Sequence, residues 1–182
     1  MELKRVVVTG LGAVTPVGNT PEETWKNLLE GKSGAAPITH FDTTLFKTKF
    51  ACEVKDLNLN DYIDRKEARK MDRYCQLAMV SAAQGIKDAG LDLEKEDLNR
   101  IGVVYGVGIG GIKTFQDEVV YYGQHEDQGP KFNPFFIPKM IADIASGQIS
   151  IQYGFHGPNY TTTSACASSS NALDDAFNLI RL

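Results

Sequence analysis

Short runs of β-branched and aromatic residues, each emptying through glycine or small residues into a helical pattern, constrain this chain's fold more than any other feature. Residues 101–105 end in Gly106-Val107-Gly108-Ile109-Gly110-Gly111. Residues 160–163 end in Ser164-Ala165-Cys166, after which Ala167-Ser168-Ser169-Ser170-Asn171-Ala172-Leu173 opens a helix. Residues 5–9, running into Gly10-Leu11-Gly12, have the same look. A strand that passes straight into a helix meets the next strand by a crossover, which makes neighbouring strands parallel. The expectation is a layered α/β fold with a mainly parallel sheet, with 5–9 and 101–105 as buried strands.

The helices are signalled locally. Thr20-Pro21-Glu22-Glu23 combines an N-cap, a proline in the first turn and a capping-box glutamate, and Gly31 closes that helix. Residues 65–71 read as a basic helical stretch leading into a long helix over 72–89, closed by Gly90. The stripe Met71, Cys75, Ala78, Met79, Ala82, Ile86 recurs at spacings of three and four and predicts the buried face of that helix. Further helices are expected around 112–121 and 138–152, separated by the aromatic loop 132–137. A short strand is expected near Phe50.

Composition excludes several function classes. An apolar fraction of 42% and a charged fraction of 23% over 182 residues are those of one globular domain with a real core. A net charge of −4 without a dense basic run argues against nucleic acid. The apolar N-terminal run is too short and glycine-broken for a signal peptide or a membrane span. Three cysteines without framework spacing suggest a reducing compartment, so the cytoplasm is expected. Leu173, Ala176, Phe177 and Ile180 form an apolar helical face that still runs at Leu182. The expectation is therefore a piece of a longer protein.

Cys166 stands at the strand-to-helix junction, where unpaired helix N–H groups and the macrodipole favour a thiolate. It is a candidate nucleophile for a covalent acyl-enzyme. The competing use, core filler, is the commoner one for a lone cysteine. Cys75, on its helical stripe, and Cys52, in a strand-like run, are expected to be structural. His40, His125 and His156 lie in loop-like settings with no metal-ligand spacing, so no metal site and no catalytic base are expected. Gly106 to Gly111 matches G-x-G-x-x-G, but the polar loop with Glu126 and Asp127 supplies no second strand ending in an acid. Close packing of a strand end is the better account of these glycines, with Ile109 as pocket lining. No cofactor is expected. The patch Arg65-Lys66-Glu67-Ala68-Arg69-Lys70 is a solvated charged face or a docking surface for an acidic partner.

Taken in order, the motifs resemble the β-ketoacyl-[acyl-carrier-protein] synthases, type II, of the thiolase-like superfamily. They are residues 5–12 with Thr15-Pro16-Val17-Gly18, residues 65–72, Gly106 to Gly111, Pro134-Phe135-Phe136-Ile137-Pro138, Tyr153-Gly154, Gly157-Pro158 and Thr163-Ser164-Ala165-Cys166. The resemblance covers residues 1–182 and only the first half of a family member. It implies the N-terminal βαβαβ-type half of a five-layered α-β-α-β-α fold, incomplete in this chain, and a homodimer. It implies a decarboxylative Claisen condensation in fatty-acid elongation, between an acyl group on Cys166 and malonyl carrier protein. Acyl and malonyl thioesters are the implied substrates. Ile109 then matches an acyl-pocket residue, and Phe136 an aromatic that reaches the neighbouring subunit's pocket. Lys66, Arg69 and Lys70 match a carrier-protein docking surface. The two malonyl-activating histidines of the family belong to its other half, and none of the three histidines here takes their role. This chain alone is expected to be inactive. The competing expectations are a polyketide-type ketosynthase and a non-catalytic carrier-binding subunit.

Overall fold

The computed structural model describes residues 3–182. Helix α1 (Pro21–Leu29) starts as its sequence dictates: Thr20 Oγ1 accepts the Glu23 N–H at 3.2 Å, and Glu23 reaches back to the Asn19 N–H at 2.7 Å. A two-residue antiparallel pair follows, β1 (Ala36–Pro37) with β2 (Phe50–Ala51). Next come a short helix α2 (Arg65–Ala68) and the long α3 (Arg73–Asp88). The parallel sheet holds β3 (Val103–Gly106) and β4 (Asn159–Thr162), with Val103 opposite Asn159 and Gly106 opposite Thr162. Between them in the chain lie α4 (Ile112–Gln124), α5 (Phe136–Met140) and α6 (Ile144–Tyr153), and α7 (Ser168–Arg181) follows β4.

The sheet carries helices on both faces. Because side chains alternate along a strand, the residues of β4 sort by parity. Asn159 and Thr161 face α6: Asn159 Nδ2 donates to Ser146 O at 2.9 Å, and the Thr161 and Ser146 hydroxyls stand 3.3 Å apart. Tyr160 and Thr162 face α7, where Asp175 lies beside the Tyr160 phenol and Thr162 Oγ1 donates to Ser168 O at 2.8 Å. Helix α3 packs on α6, outside the sheet. The core lies in that layer, where Cys75, Ala78 and Met79 of α3 meet Ala145 and Ile149 of α6 with Ile63 and Phe155. This is the α3 stripe that the sequence predicts.

Three expectations fail. Residues 5–9 form no strand, and Val7 and Val8 are exposed. A strand needs a neighbour, and here α3 side chains serve the segment that follows instead. Asp88 accepts the Leu11 N–H at 2.8 Å, and Gln84 accepts the Ala13 N–H at 2.9 Å. Gly10 and Gly12 press so close to the α3 backbone that a Cβ would stand 2.3 Å from Gly85 O and 1.8 Å from Ser81 O. The helix expected at 138–152 breaks at Ile141, where ψ is 142°. The carbonyls there are taken from outside: Gly111 N–H donates to Met140 O at 2.9 Å, and the Tyr74 hydroxyl donates to Ile141 O. Cys52 is exposed rather than core.

Much apolar surface stays open. The accessible surface is 12306 Å² for 20.0 kDa. A closed monomer of that mass exposes roughly 8,700 Å². Leu173, Leu179 and Ile180 of α7 are among the exposed residues. Among the described residues no helix is long and apolar enough to cross a membrane.

Candidate active site

Parallel β3 and β4 end side by side, so the loops that leave them emerge at one edge of the sheet, the carboxyl edge where open α/β folds place ligands. From β3 comes the glycine loop with Ile109, and from β4 the turn with Cys166. Gly106 makes their closeness possible. A Cβ there would stand 2.5 Å from backbone atoms of Ser168 and Ser169, so glycine lets the start of α7 sit directly on the end of β3.

Cys166 occupies a single 3₁₀ turn, Ala165–Ala167, immediately before α7, and is exposed. Ala165 carries a left-handed backbone, φ 51°, which an L-residue adopts only when its surroundings enforce it. The Ser168 backbone N–H, which donates to Ala165 O, and side chains together supply that enforcement. The Ser168 hydroxyl donates to Ala165 O at 2.7 Å and accepts the Ser164 N–H at 2.9 Å, and Asn171 Nδ2 donates to Ser164 Oγ at 2.6 Å. The sequence shows Ser168 and Asn171 only as small or polar residues opening a helix. Their part in the turn has no local sequence signal.

The glycine loop stands against this turn, since a Cβ on Gly108 would lie 3.9 Å from Ala165 O. On its other side the loop leans on the α5–α6 junction. Gly110, at φ 106°, and Gly111 would place a Cβ 2.7 Å from Met140 O and 2.2 Å from Lys139 O. With the Gly111 N–H already given to Met140 O, this loop packs protein against protein, as expected from its sequence. Ile109 is 70% exposed at its tip. Phe136 begins α5 and is sandwiched in an aromatic row, its ring 6.3 Å from Phe115 and 5.6 Å from Phe132. Thus Cys166 and Ile109 share the sheet edge, and Phe136 heads the segment on which the Ile109 loop rests.

The basic residues lie on and just after α2. Lys66 and Arg69 are exposed, whereas Lys70 reaches Glu67 at 2.6 Å and the Phe135 ring at 5.9 Å. A hollow of about 400 Å³ beside them is lined by Leu57, Leu59, Arg65 and Arg69. Cys52 is exposed like Cys166, whereas Cys75 is buried. Burial, with the Asp72 charge second, pushes the Cys75 thiol up to about 12, which keeps it protonated and inert at neutral pH. His40 stands 3.7 Å from Glu53, His125 stacks on Tyr121 at 4.3 Å, and the His156 backbone N–H donates to Leu98 O. Among the described residues no three His, Cys, Asp or Glu side chains group as metal ligands.

Residues 3–182 match the family model described as "Beta-ketoacyl synthase, N-terminal domain". The chain is 47% identical over 182 residues to 3-oxoacyl-[acyl-carrier-protein] synthase 2 of Synechocystis sp., covering all of this chain and 43% of that protein. It is 45% identical over 179 residues to the protein of the same name from Staphylococcus aureus (strain COL), covering 98% of this chain and 42% of that one. Among solved structures, the ishigamide ketosynthase/chain length factor superposes with TM-score 0.86 at 28% identity, over 97% of this chain and 45% of that one. A type II polyketide acyl-carrier protein in complex with its ketosynthase, bound to the hexaketide, gives TM-score 0.80 at 25% identity, over 98% of this chain and 48% of that one. The chain thus spans less than half the length of these relatives.

Proposed function

The chain belongs to the beta-ketoacyl synthase family through that family's N-terminal domain, and on that premise we propose that its protein is a 3-oxoacyl-[acyl-carrier-protein] synthase of fatty-acid elongation. The observation that carries the proposal is Cys166, an exposed thiol in an enforced turn at the carboxyl edge of a parallel sheet. Its sulfur attacks the carbonyl of an acyl thioester, the carrier thiol leaves, and the acyl group rests on Cys166. A malonyl thioester then loses CO₂, and the resulting carbanion attacks the acyl carbonyl. The Cys166 thiolate leaves, and a 3-oxoacyl thioester is released.

Ile109 lines the acyl pocket and Phe136 contributes from the dimer side. Lys66 and Arg69, with Lys70, dock the acidic carrier, and the hollow beside Arg69, lined by both leucines and polar side chains such as Asn58 and Gln76, offers it a recess. Residues 1–182 act as one of two similar halves, and the groups that activate malonate come from outside them. The open apolar face of α7 and the accessible area about 3,600 Å² above that of a closed monomer support such a covering, by a second half and by a partner copy. The protein works in the cytoplasm as a homodimer. Identity of 47% to a 3-oxoacyl-[acyl-carrier-protein] synthase 2 against 25% to the type II polyketide ketosynthase structure favours elongation over polyketide assembly.

The test is condensation. The whole protein, given acyl and malonyl carrier thioesters, is expected to form 3-oxoacyl product, Cys166→Ala none, and residues 1–182 alone none. A whole protein that forms no product, or a Cys166→Ala variant that does, would sink the assignment.

A further inference from the structure

We infer that Ser168 is the positioning residue of this site: its hydroxyl holds Ala165 in left-handed backbone and so fixes where the Cys166 thiol stands. Ser168 is 3% exposed and is the first residue of α7. A serine at a helix start ordinarily accepts a helix N–H, as an N-cap does. This one does not. Its oxygen accepts the Ser164 N–H at 2.9 Å, and its hydrogen goes to Ala165 O at 2.7 Å, both within the Cys166 turn. The N-cap position itself is Ala167, which has no side chain to cap with.

A small residue is needed here only for packing, because Gly106 brings the β3 backbone against Ser168, and alanine would meet that need as well as serine. The hydroxyl is what alanine lacks, and both of its hydrogen-bonding roles are taken up by the two residues that precede Cys166. Ala165 at φ 51° is the strained member. Without the Ser168 hydroxyl, one of its two ties is gone and it relaxes toward negative φ, turning the Ala165–Cys166 peptide and taking the thiol out of its fixed place. The Ser168 backbone N–H also donates to Ala165 O, so the hydroxyl is the second tie on that carbonyl and the one that also reaches back to the Ser164 N–H. Ser168 therefore acts through Cys166 and does not itself touch substrate. The role rests on Cys166 being the reactive thiol of the site.

The three cysteines make the test self-referencing. Cys166 and Cys52 are exposed and Cys75 is buried. In the whole protein, alkylation by iodoacetamide, read by peptide mass spectrometry, gives the Cys166 rate against Cys52, with Cys75 as the sentinel for opening of the fold. Ser168→Ala is expected to lower the Cys166/Cys52 ratio about tenfold, and adding Ala165→Gly to restore it to within about threefold, because glycine adopts positive φ freely. A purely structural Ser168 would give no such rescue. An unchanged ratio in Ser168→Ala, or a double variant no better than the single, overturns the role. Should Ser168→Ala expose Cys75 to label, the double variant decides: recovered Cys75 protection with a recovered ratio supports the role, and failure of either rejects it. Acyl transfer to wild-type Cys166 is read separately, so a failed synthase assignment is told apart from a failed role for Ser168.

Discussion

Asp72 and Thr114 join the starts of two helices distant in the chain, α3 and α4, through one buried carboxylate. Asp72 Oδ1 accepts the Tyr74 N–H at 3.3 Å and so caps α3, while Oδ2 accepts the Thr114 N–H at 3.1 Å and its hydroxyl at 2.6 Å in the first turn of α4. The N-cap position of α4 is Gly111, which has no side chain to cap with, and Asp72 supplies the cap from another element. Replacing Asp72 with alanine removes a cap worth about 1 kcal/mol and strands two donors at about 1–3 kcal/mol more. Asp72→Ala is expected to lower unfolding stability by about 2–4 kcal/mol, and Asp72→Asn, which keeps one acceptor, by less. A denaturant midpoint unmoved by Asp72→Ala would contradict the double cap.

The exposed tip position of Ile109 makes a chain-length test direct. Ile109→Phe in the whole protein is expected to cut turnover of long acyl chains about tenfold, or about 1.4 kcal/mol, while short chains are spared. Competition between short and long acyl carrier thioesters reads the effect. An unchanged profile would remove Ile109 from the pocket.

Within the basic patch the residues are unequal. Lys70 is engaged by Glu67, whereas Lys66 and Arg69 are free to meet a carrier among the described residues. Reversing Lys66 and Arg69 to glutamate is expected to raise KM for the carrier substrate about tenfold with kcat held. The gap should shrink in high salt, where the Debye length falls to about 3 Å. A loss confined to kcat would point to misfolding or chemistry instead.

Alkaline pH should weaken the fold. Burial raises Cys75 from an ordinary 9.0 to about 12, and it raises Tyr74 and Tyr105 as well. With the folded pKa above the unfolded one, the unfolded chain loses its proton first. The stability held by the protonated thiol is complete below about 9 and is lost as pH climbs toward 12. Urea midpoints are expected to fall between about pH 8 and about pH 10.5, and Cys75→Ala should shallow that slope. Equal slopes in the two proteins would mean that Cys75 is not buried as described.

What the sequence reveals divides along physical lines. Local signals were enough where local physics decides: the Thr20 cap, the α3 stripe, the strands β3 and β4, and the glycine loop that packs backbone on backbone. Residues 5–9 misled because a strand is a relation to a neighbour, and their apolar run says nothing about whether one is present. The break at Ile141 has no local signal because the donors that take the carbonyls there, Gly111 N–H and the Tyr74 hydroxyl, come from distant parts of the chain, Tyr74 from 67 residues away. Cys166 stood out by its junction. Its keepers did not, since Ser168 becomes legible only when its hydroxyl is seen to turn back on Ala165.

The most direct measurement is the mass of Cys166 after the whole protein meets an acyl carrier-protein thioester. The expected result is one acyl group added to the peptide holding Cys166, none on Cys52 or Cys75, and none in Cys166→Ala. An acyl group found elsewhere, or a Cys166 peptide of unchanged mass, would contradict the synthase assignment.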